Sequence, residues 1–260
     1  MLLDSIPIKV VSDKPGFFLA RIDVLVDGER RSFLLDTGAA TSSIESDEHT
    51  NKYPTFGSRD SKGVSGIARK CDIIQPEALS FGMQKILKPY LDRCDRNILG
   101  IDIFGNSPFQ VSLKSKRLNY LSDLPEGVAS EKVRRLSPGH VTIPIRMEKV
   151  IVDVLFDTGA DSTIADLQFV EKHPELFEMV RSEDGFDVHG NKIPSRVYKV
   201  RNLSVGSLNL INVEIAAFDY GDFLREKMEG ASIILGNNVI SKGKWSFDLN
   251  SGNWTVEAES

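Results

Sequence analysis

The chain has 260 residues, 41% of them hydrophobic and 27% charged, and a formal net charge of -5. At that length roughly 70–75% of the unfolded surface is buried on folding, enough for one or two cored domains without staples. The mild acidity gives no reason to expect nucleic acid or an anionic membrane as a partner, and no apolar stretch nears the roughly 20 residues that span a bilayer.

The first ten residues, MLLDSIPIKV, lack the basic start and long apolar run of a secretory leader. Cys71 and Cys94 sit outside any Cys-x-x-Cys pair, so free thiols and a cytoplasmic location are the expectation, with a single disulfide as the alternative. His49, His140, His173 and His189 have no metal-ligand spacing, and no metal or cofactor is expected. Gly-x-Ser-x-Gly, the phosphate-binding loop and Gly-x-Gly-x-x-Gly are all absent.

In chain order, RIDVLVDGERRSFLLD reads as two alternating strands around the hairpin dipeptide Asp27-Gly28. They run into LLDTGAATSSI (34–44). SRDSKGVSGIARKCD follows with a glycine-bearing tip, Gly63-Val64-Ser65-Gly66, then LSFG (79–82), NILGIDIF (97–104) and the polar-alternating FQVSLKSKRLNYL. The charged segment 122–139, with Pro and Gly at both ends, reads as a linker and places the domains at 1–124 and 139–260, joined by 125–138. Within it, Lys132, Arg134 and Arg135 read as a solvated face.

The order then repeats. HVTIPIRMEKVIVDVLFD gives two strands around a turn near Met147-Glu148 and runs into LFDTGADSTIA (155–165). IADLQFVEKHPELF is the best helix, broken at Pro174. DVHGNKIPSRVYKV offers a Gly190-Asn191 hairpin; LSVG (203–206), IILGNNVI (233–240) and KWSFDLNSGNWTVE complete the echo. The second copy is longer mainly by NVEIAAFDYGDFLREKMEGAS, read as a surface insertion packing its own aromatics, or as an outer wall through Phe218, Tyr220 and Phe223. Four landmarks recurring in one order mark an internal duplication, and the chain is expected to be mainly β.

Asp-Thr-Gly alone could be an ordinary turn. Two equivalent strand-end carboxylates related by an approximate two-fold axis would instead meet face to face. At about 3 Å and an effective dielectric near 20, two ionised carboxylates repel by about 5 kcal/mol, so they share a proton and titrate as a unit. One is then a base while the other is an acid, which suits activation of water against an amide. Gly38 and Gly159 keep the approach open, and Thr37 and Thr158 can bond across the axis.

These two motifs, each with its later apolar-Leu-Gly strand, resemble the aspartic proteases. The resemblance implies two retropepsin-like β-barrel lobes, related by a pseudo-two-fold axis with a cleft between them, fused in one chain as in pepsin-like enzymes. It implies an aspartic endopeptidase acting on a peptide or protein substrate, with Asp36 and Asp157 as the catalytic pair and Thr37, Gly38, Thr158 and Gly159 supporting them. Asp161 matches an acidic position that holds substrate backbone in the retroviral enzymes; the first copy has Ala40 there. Gly63, Gly66 and Gly190 would sit on flaps over the substrate, although neither hairpin has the flap tyrosine of pepsin-like enzymes, and plain surface hairpins are the other reading. His189, beside the second tip, is read as an exposed histidine without a role.

Where pepsin-like enzymes carry Ser or Thr after the glycine, both copies have Ala (Ala39, Ala160). Without that donor the pair should ionise less readily, which gives an expected optimum in mildly acidic to neutral conditions. The expected assembly is a monomer with an internal pseudodimer, and a homodimer pairing halves between chains is the rival. A second rival, a peptide-binding scaffold without turnover, retains the fold but not the reaction.

Overall fold

The computed structural model describes residues 1–14, 17–105, 107–137, 139–187 and 190–259. The first aspartate hairpin is Phe17–Val26 with Glu29–Leu35, turned by Asp27 (φ 49°) and Gly28 (φ 88°). Two successive left-handed residues give the turn whose twist matches the strands it joins. Ala20, Ile22, Val24 and Val26 alternate inward and are fully buried, the pattern of a strand with one face on the core. The second hairpin, Val141–Met147 with Val150–Phe156, turns at Glu148 (φ 52°) and buries Ile143, Ile145, Val154 and Phe156.

Each half wraps its hairpin into a sheet. In the second half the order runs Val141–Met147, Val150–Phe156, Ile233–Leu235, Ile164–Asp166, Leu208–Phe218, Lys192–Val205 and then Phe177–Phe186. Lys192–Val205 also pairs back onto Val141–Met147 through Arg146↔Ser204 and Met147↔Leu203, so six strands close into a barrel and lose their edges. The first half repeats this with its long strand cut in two, Ala68–Ile74 and Ala78–Phe81, across Gln75-Pro76-Glu77. Proline has no N–H to give a ladder, so the break falls there. Ala78–Phe81 makes the equivalent closure on Phe17–Val26.

The closing strands of the two halves pair with each other. Phe109–Ser112 runs antiparallel to Gly243–Asp248, with Val111 opposite Trp245, in a six-stranded sheet ordered Leu2–Pro7, Arg117–Leu121, Phe109–Ser112, Gly243–Asp248, Asn253–Ala258 and Glu131–Lys132. Above it lies an aromatic seam: Phe109 stacks on Phe247 at 5.4 Å, and Phe156 meets Phe247 at 4.8 Å and Trp245 at 5.2 Å. Phe156 directly precedes the second aspartate, so this seam is the floor under the loops.

The segment between the halves is partly sheet: Glu131–Lys132 pairs with Trp254 and Asn253, and Arg134–Arg135 pairs with Thr142 and Val141. Its charged side chains are exposed. The helix over Leu167–Lys172 ends at His173, and a 3₁₀ turn begins at Pro174. Gly221–Lys227 in the insertion is also helical, which the sequence reading did not assign.

The expectation of free thiols is corrected. Cys71 and Cys94 form a disulfide with their Cα atoms 5.0 Å apart. Asp72 already pairs with Arg93 across the adjacent antiparallel strands, so the next step of the ladder places the cysteines opposite each other, at bridging distance.

Candidate active site at the junction of the halves

Asp36 and Asp157 follow the last residues of their hairpin strands, and each is held from behind by a parallel strand. The Asp36 N–H donates to Leu99 O (3.0 Å) and the Asp157 N–H to Leu235 O (3.1 Å). These are the Ile-Leu-Gly strands, which cross directly behind the loops: a Cβ on Gly100 would sit 2.7 Å from Ala39 O, and one on Gly236 would sit 2.3 Å from Ser162. No side chain fits at either position, which is the physical reason for glycine in both copies.

The threonines lock the loops together. The Thr37 N–H donates to Thr158 Oγ1 and the Thr158 N–H to Thr37 Oγ1, both at 3.1 Å. Thr37 Oγ1 donates on to Phe156 O (2.8 Å) and Thr158 Oγ1 to Leu35 O (2.7 Å). Both threonines are buried, so this ring of four hydrogen bonds satisfies groups that water cannot reach.

Each glycine then faces the other half's aspartate. A Cβ on Gly38 would lie 2.3 Å from Asp157 Cγ, and one on Gly159 would lie 2.4 Å from Asp36 Cγ. The carboxylates are hydrogen-bonded to each other and half-buried at the base of the cleft. Burial and then the charge of Asp157 push Asp36 well above the ordinary 3.8. Asp157 is also raised by burial, but the N–H groups of Gly159, Gly38 and Ala160 and the Asp36 hydroxyl oppose the rise; Gly159 N donates to Asp157 Oδ1 at 2.8 Å. Both carboxyls are thus raised, and the pair holds one proton between them and titrates as a unit.

The hairpin Thr55–Lys62 with Ala68–Ile74 reaches over this base, and its tip holds Gly63 and Gly66 (φ 74°), closed by Gly66 N to Gly63 O at 3.0 Å. Val64 packs on a cluster of the second half that contains Leu224, Met228 and Ile234 and also touches Ala160 of the aspartate loop. Ser65 Oγ hydrogen-bonds Asp187 Oδ2, and Asn191 Nδ2 lies 2.9 Å from the same oxygen. The two hairpins thus meet tip to tip. Gly190 (φ 81°) serves the turn and a Cβ there would touch nothing; the side chains that make the contact are Asp187 and Asn191. His189 lies outside the described residues.

Asp161 is half-buried beside the second loop, and its carbonyl accepts from Asn238 N at 3.2 Å. Several residues that the sequence reading passed over support the loops. Asn237 Nδ2 donates to Thr158 O (3.0 Å) and, across the halves, to Phe18 O (2.9 Å). Buried His140, taken in the sequence for one of four scattered histidines, hydrogen-bonds the Gly38 backbone, and burial holds its pKa below the usual value. A cavity of about 430 Å³ on the second half, lined by Ser182, Asp184, Pro194, Arg196 and Phe218 among others, includes neither aspartate. Among the described residues no helix is long and apolar enough to cross a membrane.

A family model described as aspartyl protease matches residues 143–239, the stretch that holds the second Asp-Thr-Gly loop and the strand behind it. No curated protein matches the chain by sequence. Among solved structures, the chain is similar to the aspartic proteinase from Irpex lacteus, with a TM-score of 0.63, 13% identity, and coverage of 98% of this chain and 97% of that one. It is similar to basic 7S globulin from soybean (TM-score 0.60, 11% identity, 99% and 95% covered). It is also similar to conglutin gamma, a basic 7S globulin from lupine seeds (TM-score 0.59, 12% identity, 98% and 95% covered). At such identities the likeness is one of fold.

Proposed function

We propose that this chain, mainly β and aspartic protease-like in fold, is an endopeptidase whose single site is built from Asp36 and Asp157. The observation that carries the reading is the reciprocal packing of Gly38 on Asp157 and Gly159 on Asp36, which holds the two half-buried carboxyls close enough to share a proton. In this reading Asp157, backed by the Gly159 N–H, acts as the ionised member and takes a proton from a water as its oxygen attacks the peptide carbonyl carbon. Asp36 gives its proton to the carbonyl oxygen, producing a neutral tetrahedral diol. Collapse returns a proton from the diol to Asp36, passes the proton on Asp157 to the leaving nitrogen, and breaks the C–N bond. The cycle ends with the pair as it began.

One chain suffices, because both loops and the threonine ring come from the same molecule; we propose a monomer that acts on a peptide or protein. Cleavage of a diverse peptide mixture from pH 3.5 to 7.5, read by mass spectrometry, tests the reaction. Internal bonds should be cut, and Asp36→Asn and Asp157→Asn should each lose at least about 10³-fold. Because burial raises both carboxyls, the optimum should be mildly acidic to neutral, and a peak below about pH 3 would contradict it.

A second reading, a peptide-binding protein without turnover, has one observation in its favour: two of the similar structures are named as globulins. Full binding with no cutting in any condition would select it.

A further inference from the structure

The insertion that lengthens the second half touches the tip of the first half's hairpin. The Phe223 ring lies against Gly66, where a Cβ would be 3.3 Å from Phe223 Cδ1. Lys62, at the end of the same hairpin strand, places its ammonium 4.3 Å from the centre of that ring, and Lys227, one turn along the helix Gly221–Lys227, lies 5.5 Å from it. The two cations are close enough for salt to leave much of their repulsion unscreened.

Neither ammonium has an ion pair among the described residues, in a chain with 37 acidic against 32 basic side chains. Lys62 is exposed and Lys227 half-buried. Burial and the charge of Lys62 hold Lys227 below its ordinary pKa, the mark of a charge short of a counter-ion. An aromatic face offsets part of that deficit, and an anion would offset the rest.

The position is set from both sides. The neighbouring Val64 and Leu224 belong to the cluster that touches Ala160 of the second aspartate loop. His140, hydrogen-bonded to Gly38 of the first loop, feels the charge of Lys227. The two cations therefore flank the place where the hairpin tip meets the insertion, one contributed by each half.

We propose that Lys62 and Lys227, with Phe223 as the floor between them, form a subsite that receives a Glu or Asp side chain of the peptide substrate. The inference rests on the cleft being a peptide site, and it makes this end of the cleft selective for acidic residues while the base stays indifferent to side-chain charge. A peptide carboxylate here pairs with two ammoniums at once, one exposed and one half-buried, so that recognition comes from the doubled charge and weakens with salt.

The test is binding, so that it is independent of turnover. Two matched decapeptide libraries, with a single Glu or a single Gln walked through each position, are titrated against the full chain carrying Asp157→Asn. At one position Glu should bind about tenfold better than Gln, the preference should shrink at high salt, and it should vanish in Lys62→Gln/Lys227→Gln. Lys62→Arg/Lys227→Arg, which keeps both charges, should retain it, and Lys227→Glu should abolish it or turn it towards Gln. Equal binding of Glu and Gln at every position, or a Glu preference that survives the double Gln change, would overturn the proposal. If the preference is present but the unaltered chain cuts nothing, the subsite stands and the endopeptidase reading falls.

Discussion

Behind the first aspartate loop stand Ser42 and Asp102; behind the second, at equivalent places, stand Thr163 and Asn238. The Asp102 carboxylate accepts from Ser42 Oγ (2.8 Å) and Ser42 N (3.0 Å), while Ser42 Oγ accepts from Gly100 N (2.9 Å). In the second half Asn238 Oδ1 accepts from Thr163 N and Oγ1, both at 2.8 Å, and Thr163 Oγ1 accepts from Gly236 N (3.1 Å). The wiring is the same and the residues are not. On the axis the opposite holds: Asp, Thr and Gly occur in both copies, because a two-fold contact requires each surface to be its own partner. Away from the axis only the donor and acceptor pattern has to be kept, and hydroxyl, carboxylate and amide are alternatives.

The largest expected effect lies on the axis. Thr37→Val and Thr158→Val each orphan one buried N–H and one buried carbonyl, and each should lower stability by about 3 kcal/mol and by nearly the same amount. Denaturant melts of the two variants check this; a large inequality would mean that the halves do not share the load.

An effect of similar size belongs to a feature that, among the described residues, only the first half has. Opening the Cys71–Cys94 bridge, whose ends are 23 residues apart, should cost about 3 kcal/mol by loop entropy. Cys71→Ser/Cys94→Ser, melted beside the oxidised and reduced parent, measures it; equal stability of all three would remove this difference between the halves.

The pair itself gives a pH signature. Its carboxyls have folded pKa values raised above 3.8, so the folded state holds protons that the unfolded state has released. Stability from this source is complete below the ordinary carboxylate range and is lost as pH rises through the raised values, with a slope of up to about 1.4 kcal/mol per pH unit for one proton. Asp36→Asn should flatten that slope, and a pH series of urea melts on parent and variant isolates it from acids of opposite sign such as Asp27.

The smallest effect tests the interchangeability behind the loops. Asp102→Asn removes one of two acceptors and should cost about 1 kcal/mol, and Asn238→Asp, which forfeits the Nδ2 bond to Glu214 O (2.8 Å), about the same. Losses several times larger would show the two wirings to be specific to their halves.

Much of the molecule was legible because its signals were local. Asp27-Gly28 and the Met147-Glu148 region mark turns through backbone geometry, Pro174 stops a helix for want of an N–H, and Asp-Thr-Gly-Ala written twice marks the axis. What escaped depends on contacts between distant residues. The helix Gly221–Lys227 is only 7 residues long, too short to be stable by itself; Asp166, 59 residues upstream, accepts from Arg225 Nε at 2.7 Å and anchors it. The disulfide follows from strand register that spacing alone does not reveal. Alternation in FQVSLKSKRLNYL and KWSFDLNSGNWTVE shows two strands but not that they pair with each other. His140 looked idle because its partner, Gly38, offers only backbone.

The shared six-stranded sheet also sets a timetable. Its central pair joins Phe109–Ser112 to Gly243–Asp248, and Phe247 and Trp245 close over Phe156 beneath the second loop. During synthesis both aspartates are in place long before residues 243–258 are made, and a chain halted in between has two loops with no common floor. Such long-range pairing is slow to form. The paired loops therefore gain their common support only when residues 243–258 dock, so the order of the strands makes the site the last part of the fold to be completed.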